Sequence, residues 1–470
     1  ADYNYRNRYF LQVAASMESS STFGKKATSL RIGDVAWGFF PSIQAGWVVT
    51  NENWAPKNKN FNYLRLNAGY EVTGNDNINN KAARTSFEVL KFLHNNIPAV
   101  QLNNIGNENI TYEKTRRFYT GFESQWLENR LGLDFTFFFN HTTNLLTLKD
   151  FTTPVAGVKS YWSNEGSLDN KGVEVHINGK PIVSRKFTLE LGASIGHYLN
   201  VIKSLPNNTT LALNGQENAA VGYTSSIYGN QNIATLVNHS AGVFYGYKTA
   251  GVFSTDAEAK AAGKDGYLYQ VDETGAKSYF KAGDMHFVDL NGDGIINESD
   301  KTIIGNPNPK LYGNFFAHAT WGNLTLSAIF GYSIGNDIYN YQRSILEGGN
   351  NFYNQTSAMT DRWRVEGQVT NMPRISYGDE MGNSRFSDRW IEDGSYLKLR
   401  SLNVNYKIPV NSSWLQGLQV WAEASNLFTI SKYLGGDPEM SVSNAVLYQG
   451  IDTGCVSQGR TFTVGVKINL

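Results

Sequence analysis

Strict alternation of apolar and polar residues is the dominant pattern along this chain. From Arg130 to Asn140, the residues Leu131, Leu133, Phe135, Phe137 and Phe139 share one phase, while Gly132, Asp134, Thr136 and Asn140 share the other. Phe138 is the one apolar residue in that polar phase. Phe187, Leu189, Leu191, Ala193 and Ile195 alternate in the same way with Thr188, Glu190, Gly192, Ser194 and Gly196. Val173, Val175 and Ile177 oppose Glu174, His176 and Asn178. Leu324, Leu326, Ala328, Phe330 and Tyr332 repeat the rule, as do Phe462, Val464, Val466, Ile468 and Leu470. A period of two places successive side chains on opposite faces of a strand. These runs exceed the roughly 5–6 residues of an ordinary strand, and several carry charge in the polar phase. Length plus a polar second face predicts an all-β fold: a transmembrane antiparallel β-barrel with a wet interior. One run changes phase, where Leu397 and Leu399 are followed by Leu402, Val404, Tyr406 and Ile408. That slip marks a β-bulge near Arg400 and Ser401.

Strands are predicted near 5–18, 36–51, 61–73, 110–127, 130–146, 170–179, 184–201, 310–320, 324–337, 395–409, 416–429 and 459–470. They make about twelve crossings, each near or above the roughly 9–11 residues that a membrane strand needs. Short links near 52–60, 128–129, 180–183, 321–323 and 410–415 alternate with long ones near 19–35, 74–109, 147–169, 202–309, 338–394 and 430–458. Outer-membrane barrels have short periplasmic turns and long extracellular loops. With Leu470 on the periplasmic side, every long link falls outside and every short one inside. The segment 202–309 is then a large extracellular loop, and no composition shift marks a second globular domain.

Composition sharpens this picture. The chain has 470 residues, with 26 Tyr, 26 Phe, 10 Trp and 45 Gly, a profile that suits strands and turns. Lys+Arg and Asp+Glu are both 41, so no global field recruits nucleic acid. The single cysteine, Cys455, excludes an internal disulfide framework and a multi-cysteine metal cluster. No run approaches the roughly 20 apolar residues of a membrane helix, which a barrel does not need because only alternate residues face lipid. The first ten residues, ADYNYRNRYF, are polar and aromatic rather than basic and then apolar. They form no secretory leader, so the natural start is expected upstream of Ala1.

The sharpest chemical motif runs from Asp289 to Asp300, DLNGDGIINESD. Asp289, Asn291, Asp293, Asn297 and Asp300 put oxygen-bearing side chains at loop positions one, three, five, nine and twelve, and Ile295 would offer its carbonyl. Gly294 stands at position six, where the chain must turn sharply. Hard oxygen donors at this spacing select Ca²⁺, here as a structural ion ordering an outer loop. Asp300 stands where an EF-hand has glutamate, as in dockerin-like loops. The alternative is an Asn/Asp/Gly-rich surface turn. The seven histidines, His94, His141, His176, His197, His239, His286 and His318, lack His-x-x-x-His spacing and read as wall or loop residues. Glu174 and Glu190 face the lumen on neighbouring strands, where Lys or Arg partners across strands are expected. No nucleophile elbow, phosphate loop or dinucleotide fingerprint is present, so the chain reads as a non-enzyme. Aromatics gather at strand ends, as from Trp37 to Trp47 (WGFFPSIQAGW), in the manner of interfacial girdles. Phe352, Tyr353 and Trp363 are loop aromatics that suit either ligand stacking or loop packing.

An ordered series of segments resembles the C-terminal half of SusC/RagA-family TonB-dependent receptors. It begins with Tyr9 to Gly24 (YFLQVAASMESSSTFG), Trp37 to Trp47 and Leu64 to Asn75 (LRLNAGYEVTGN). Asn164 to Glu174 (NEGSLDNKGVE), Phe244 to Lys248 (FYGYK), Phe287 to Gly294 (FVDLNGDG) and Ile304 to Pro309 (IGNPNP) follow. Ile391 to Leu399 (IEDGSYLKL), Ala424 to Phe428 (ASNLF), Gly450 to Gly454 (GIDTG) and Arg460 to Thr463 (RTFT) close it. The resemblance implies a multi-pass protein of a Gram-negative, Bacteroidetes-type outer membrane, in contact with its lipid. It implies a barrel of about 22 strands with a plugged lumen, so the N-terminal barrel and plug portion and the TonB-interacting segment would lie upstream. It further implies a SusD-like surface lipoprotein as partner and import of a glycan oligomer or peptide. The alternative is a passive porin-like or adhesive barrel. Two positions depart from the pattern: Leu470 stands where an aromatic is common at the end, and Cys455-Val-Ser where Tyr-Pro is frequent.

Overall fold

The computed structural model describes residues 1–33, 35–56, 58–91, 98–206, 209–226, 228, 232–264, 266–411, 414–443 and 445–469. A 14-stranded sheet forms the main wall. Its path runs through β1 (Asp2–Tyr5), β2 (Tyr9–Ser19), β3 (Val35–Val48), β4 (Phe61–Asn75), β5 (Glu113–Trp126), β6 (Leu131–Thr143) and β7 (Ser167–Val183). It continues through β8 (Phe187–Ser204), β9 (Leu311–Trp321), β10 (Leu324–Ile334), β11 (Tyr396–Ile408), β12 (Gly417–Ser431) and β13 (Thr461–Asn469). Each strand pairs with the next in sequence, antiparallel throughout, and a short strand, Leu30–Ile32, pairs onto β3. The path is linear, with β1 and β13 as its ends. Every predicted crossing has its strand. The first differs from the expected 5–18: Arg6 and Asn7 adopt left-handed backbone, φ 55° and 54°, and fold β1 back on β2. A polar turn inside an alternating run is invisible to periodicity alone. Leu470 and His94 lie outside the described residues.

The register confirms the alternation face by face. Val173 lies opposite Phe137 and His197, all in the apolar phase, while Glu174 lies opposite Thr136 and Gly196. The apolar phase is open or half-open along the wall, with Leu191, Ile195, Phe315, Leu326, Val404 and Val466 all exposed. Such a continuous apolar face is unfavourable in water and is the surface a bilayer covers. Phe138, the apolar exception, is buried in the inward phase. It faces Gly172 across the ladder, and a Cβ there would come within 2.6 Å of its ring. The missing side chain lets the ring lie flat on the wall. The phase slip is a bulge as expected: the β11 register jumps from Leu399 to Ser401 against both β10 and β12.

The two rims differ. Short turns line one rim and hydrogen-bond side by side: Leu127 N to Asn60 O at 3.0 Å, Lys180 N to Arg130 O at 2.7 Å, Gly322 N to Lys186 O at 2.9 Å and Gln416 N to Asn469 O at 2.8 Å. Aromatics sit on this rim, with Phe61 against Trp126 at 4.5 Å and Trp54 and Trp321 exposed. At the other rim the long connections fold into a lobe. One core packs Tyr247, Phe253, Leu268, Phe280 and Phe287 with Met381, and another joins Phe244, Tyr339, Trp390 and Ile451. Segments from three connections therefore share one interior. A parallel pair, Tyr339 with Ile451, ties two of them. The segment 202–309 is thus no lone loop but the largest part of a joint lobe.

Candidate functional site

Where the lobe meets the inward face of the wall, a cavity of about 690 Å³ opens. Strands β6 to β11 supply one side, and the lobe roofs it through Pro307, Pro438 and Gln449. The roof is tied down: Gln449 Nε2 donates to the Pro307 carbonyl at 3.3 Å, and Asn306 N donates to Asp337 Oδ2 at 2.7 Å. The wall side is polar because it is the second phase of the alternating strands. Asp134 and His176 stand opposite each other on β6 and β7, and Glu174 lies two residues from His176. Glu174 does not meet the expected Lys or Arg. It accepts a hydrogen bond from the Tyr312 hydroxyl at 3.3 Å, from two strands away. Tyr312 reaches that far because Gly196 opposes it, and a Cβ at Gly196 would come within 2.4 Å of its ring.

At the cavity edge a charged clamp joins wall and lobe. Lys398 and Arg400 point inward from β11, because the bulge keeps Arg400 on the lumen side next to Ser401. Lys398 Nζ donates to Asp437 Oδ2 at 3.0 Å and to Glu439 Oε2 at 2.8 Å. Arg400 Nη1 donates to Glu439 Oε2 at 2.7 Å, and its Nη2 also meets Glu439. The Tyr396 hydroxyl donates to Glu439 Oε1 at 2.7 Å. Lys398 is 2% exposed and Asp437 5%. Burial pushes the Glu439 carboxyl up, but the bonds from Lys398, Tyr396 and Arg400 outweigh it and hold the group below its usual range. Sequence reading missed this clamp. Its signal was two cations in the inward phase of β11 and an Asp-Pro-Glu in a long connection.

The predicted metal loop is a tight turn in the lobe. Asp289 Oδ1 accepts from Gly292 N and Oδ2 from Gly294 N, both at 2.7 Å, and Gly294 has φ 84°. Asn291 Oδ1 accepts from Asp293 N at 3.0 Å, and Asp293 Oδ1 accepts from Ile295 N at 2.7 Å. Asn297 Oδ1 accepts from Ser299 N at 2.7 Å. Asp300 is fully buried and accepts from Leu290 N and Asn297 N, each at 2.9 Å. Burial, with Asp289 and Asp293 adding to it, raises the Asp300 carboxyl. Among the described residues, no three His, Cys, Asp or Glu side chains gather closely enough to form a metal cluster. The loop's donor set instead mixes carboxylates with amide and carbonyl oxygens.

The remaining candidates have structural settings. His141 bonds Asp169 at 2.6 Å, His197 meets the Lys310 carbonyl at 2.6 Å near the lobe rim, and His286 stacks on Phe253. His176 lines the cavity, His239 sits in the turn after Leu236, and His318 lies against Phe316. Trp363 donates to the Ser254 carbonyl at 3.1 Å and is packed within the lobe. Phe352 and Tyr353 are exposed, and Phe352 pairs with Tyr377 at 4.9 Å.

No protein-family model matches the chain. Among curated proteins it is 27% identical to "TonB-dependent receptor P3" of Formosa agariphila over 480 residues, covering 99% of this chain and 44% of that receptor. It is 26% identical to "TonB-dependent receptor SusC" of Bacteroides thetaiotaomicron over 488 residues, 99% of this chain and 43% of the other. The chain therefore spans somewhat under half the length of these relatives. Among solved structures, the RagAB peptide importer in its "closed-closed" state superposes with a TM-score of 0.77 at 21% identity, over 99% of this chain and 46% of the other. Its "open-open" state gives 0.75 at 19% identity. The inward polar face, the exposed apolar face, the lobe and these likenesses converge: the chain has the wall of an outer-membrane β-barrel and is similar to TonB-dependent receptors, SusC among them, over nearly all of its length.

Proposed function

We propose that the chain forms part of the barrel of a TonB-dependent importer of a nutrient oligomer, a glycan or a peptide, working with a SusD-like surface lipoprotein. The observation that carries this reading is the polar cavity between the inward wall and the lobe. A porin-like pore needs an open mouth. Here the lobe, three connections sharing one core, is clamped over the wall. In this reading the lobe faces the cell exterior and the short-turn rim faces the periplasm. In this reading the polar side chains of the cavity bind and position the cargo.

The test is uptake by cells carrying the whole receptor, with and without TonB. Loss of uptake without TonB, or after collapse of the proton-motive force, supports energised import. Uptake that persists in both cases identifies a passive pore instead.

We further propose that the loop from Asp289 to Asp300 holds a structural Ca²⁺ through Asp289, Asn291, Asp293, Asn297, Asp300 and the Ile295 carbonyl. The mixed carboxylate, amide and carbonyl oxygens at this spacing, with Asp300 buried at the last position, support this reading. Native mass measurement of the whole receptor should find one ion lost in the Asp289→Ala/Asp293→Ala variant. Retention of that ion refutes the assignment.

A further inference from the structure

A second cavity, of about 570 Å³, lies wholly within the lobe. Arg343, Arg364 and Arg389 line it against one carboxylate, that of Asp361. Arg343 is neutralised within the fold: its Nε donates to Glu347 Oε2 and its Nη1 to Glu392 Oε1, both at 2.8 Å. Arg389 differs. Its Nη2 donates to the Glu347 carbonyl at 3.1 Å and to the Met372 thioether, and its Nη1 donates to the Asn383 carbonyl at 3.4 Å. All three acceptors are neutral. The nearby Glu347 carboxylate is engaged by Arg343 and by the Thr356 hydroxyl at 3.1 Å. The guanidinium of Arg389 lies 4.2 Å over the ring of Trp390, which is fully buried. Burial, then the like charge of Arg343, pushes its pKa down to about 10. Glu347 and Asp379 act on this cation only from a distance, and none of the ion pairs among the described residues includes it, whereas folded proteins normally pair a desolvated charge directly.

We propose that this cavity binds an oxyanion, the carboxylate or sulfate group of a small polar solute, between Arg389 and Arg364. A guanidinium N–H is a charge-assisted donor to such a group, and stacking on Trp390 holds that of Arg389 in position. The exposed Arg364 is also preset. Its Nη2 donates to the Thr360 carbonyl at 2.8 Å, and its backbone N–H donates to Gln368 Oε1 at 2.8 Å. Gln368 in turn donates to the Arg362 carbonyl at 3.1 Å, closing the segment on itself. The volume is that of a small-ligand site. Asn371 lines the same cavity and adds an amide to it.

The experiment is a calorimetric titration of the whole receptor in detergent with glucuronate and with inorganic sulfate, using glucose as the neutral control. Both anions bind and glucose does not. Arg389→Gln weakens glucuronate about tenfold or more, the loss expected for a charge-assisted pair. Arg364→Gln, on an exposed side chain whose loss leaves the fold intact, weakens it severalfold and decides the matter if Arg389→Gln fails to fold. Absence of anion binding, equal binding of glucose, or unchanged affinity in the variants overturns the proposal. The readout is binding, so it stands or falls independently of what crosses the barrel.

Discussion

Lys398→Met tests the clamp between wall and lobe. Lys398 bonds Asp437 at 3.0 Å, Glu439 at 2.8 Å and Gln458 Oε1 at 3.3 Å. Removing its charge strands Asp437, which is 5% exposed, while Glu439 keeps Arg400 and Tyr396. Breaking a buried pair by deleting one partner costs roughly 3–5 kcal/mol. The segment after β12 should therefore open about a thousandfold more often, since each ~1.4 kcal/mol is a factor of ten. Hydrogen exchange over 437–452 in the detergent-purified receptor reads this directly. The pH dependence gives a second arm. The folded Glu439 carboxyl lies below its ordinary value, so its contribution is present above the ordinary carboxylate range and is lost as pH falls through the depressed value. Acidification should therefore erode protection in the parent and narrow its gap to the variant. Asp437→Asn added to Lys398→Met should restore much of the protection at neutral pH. An exchange change under tenfold, or a gap that does not narrow in acid, would falsify the argument.

Two further outcomes follow from the faces of the wall. Ile195→Arg places a cation on the exposed apolar face and should cost about 2–4 kcal/mol in lipid vesicles, whereas Ser194→Arg on the inward face should assemble normally; equal folding yields on urea titration would contradict the assignment of faces. Gly196→Ala should destabilise the barrel by roughly 1–3 kcal/mol, because the added methyl strikes the Tyr312 ring. Gly196→Ala/Tyr312→Ala should recover most of that loss, and heat-modifiable gel mobility would show whether it does.

Much of the wall is legible in the sequence. Alternation reports which face a side chain takes, and that is local geometry: Val173 and Glu174 must point oppositely whatever surrounds them. The bulge at Arg400 was legible for the same reason, because an extra residue reverses the phase of everything after it. The alternation of short and long links placed both rims. The turn at Arg6 and Asn7 was not legible, since a short polar hairpin leaves the apolar period on either side undisturbed.

The sequence by itself determined a two-faced antiparallel wall, its strand order, and a loop whose oxygen spacing suits a hard cation. Tertiary structure decided which long connections share a core, that Lys398 and Arg400 meet Asp437 and Glu439, that Tyr312 rather than a cation reaches Glu174, and that none of the ion pairs among the described residues includes Arg389. These are contacts between residues tens to more than a hundred positions apart. No period encodes them. They exist only once the wall has set the separation of its loops, because a charge finds its partner through distance and burial rather than through place in the chain.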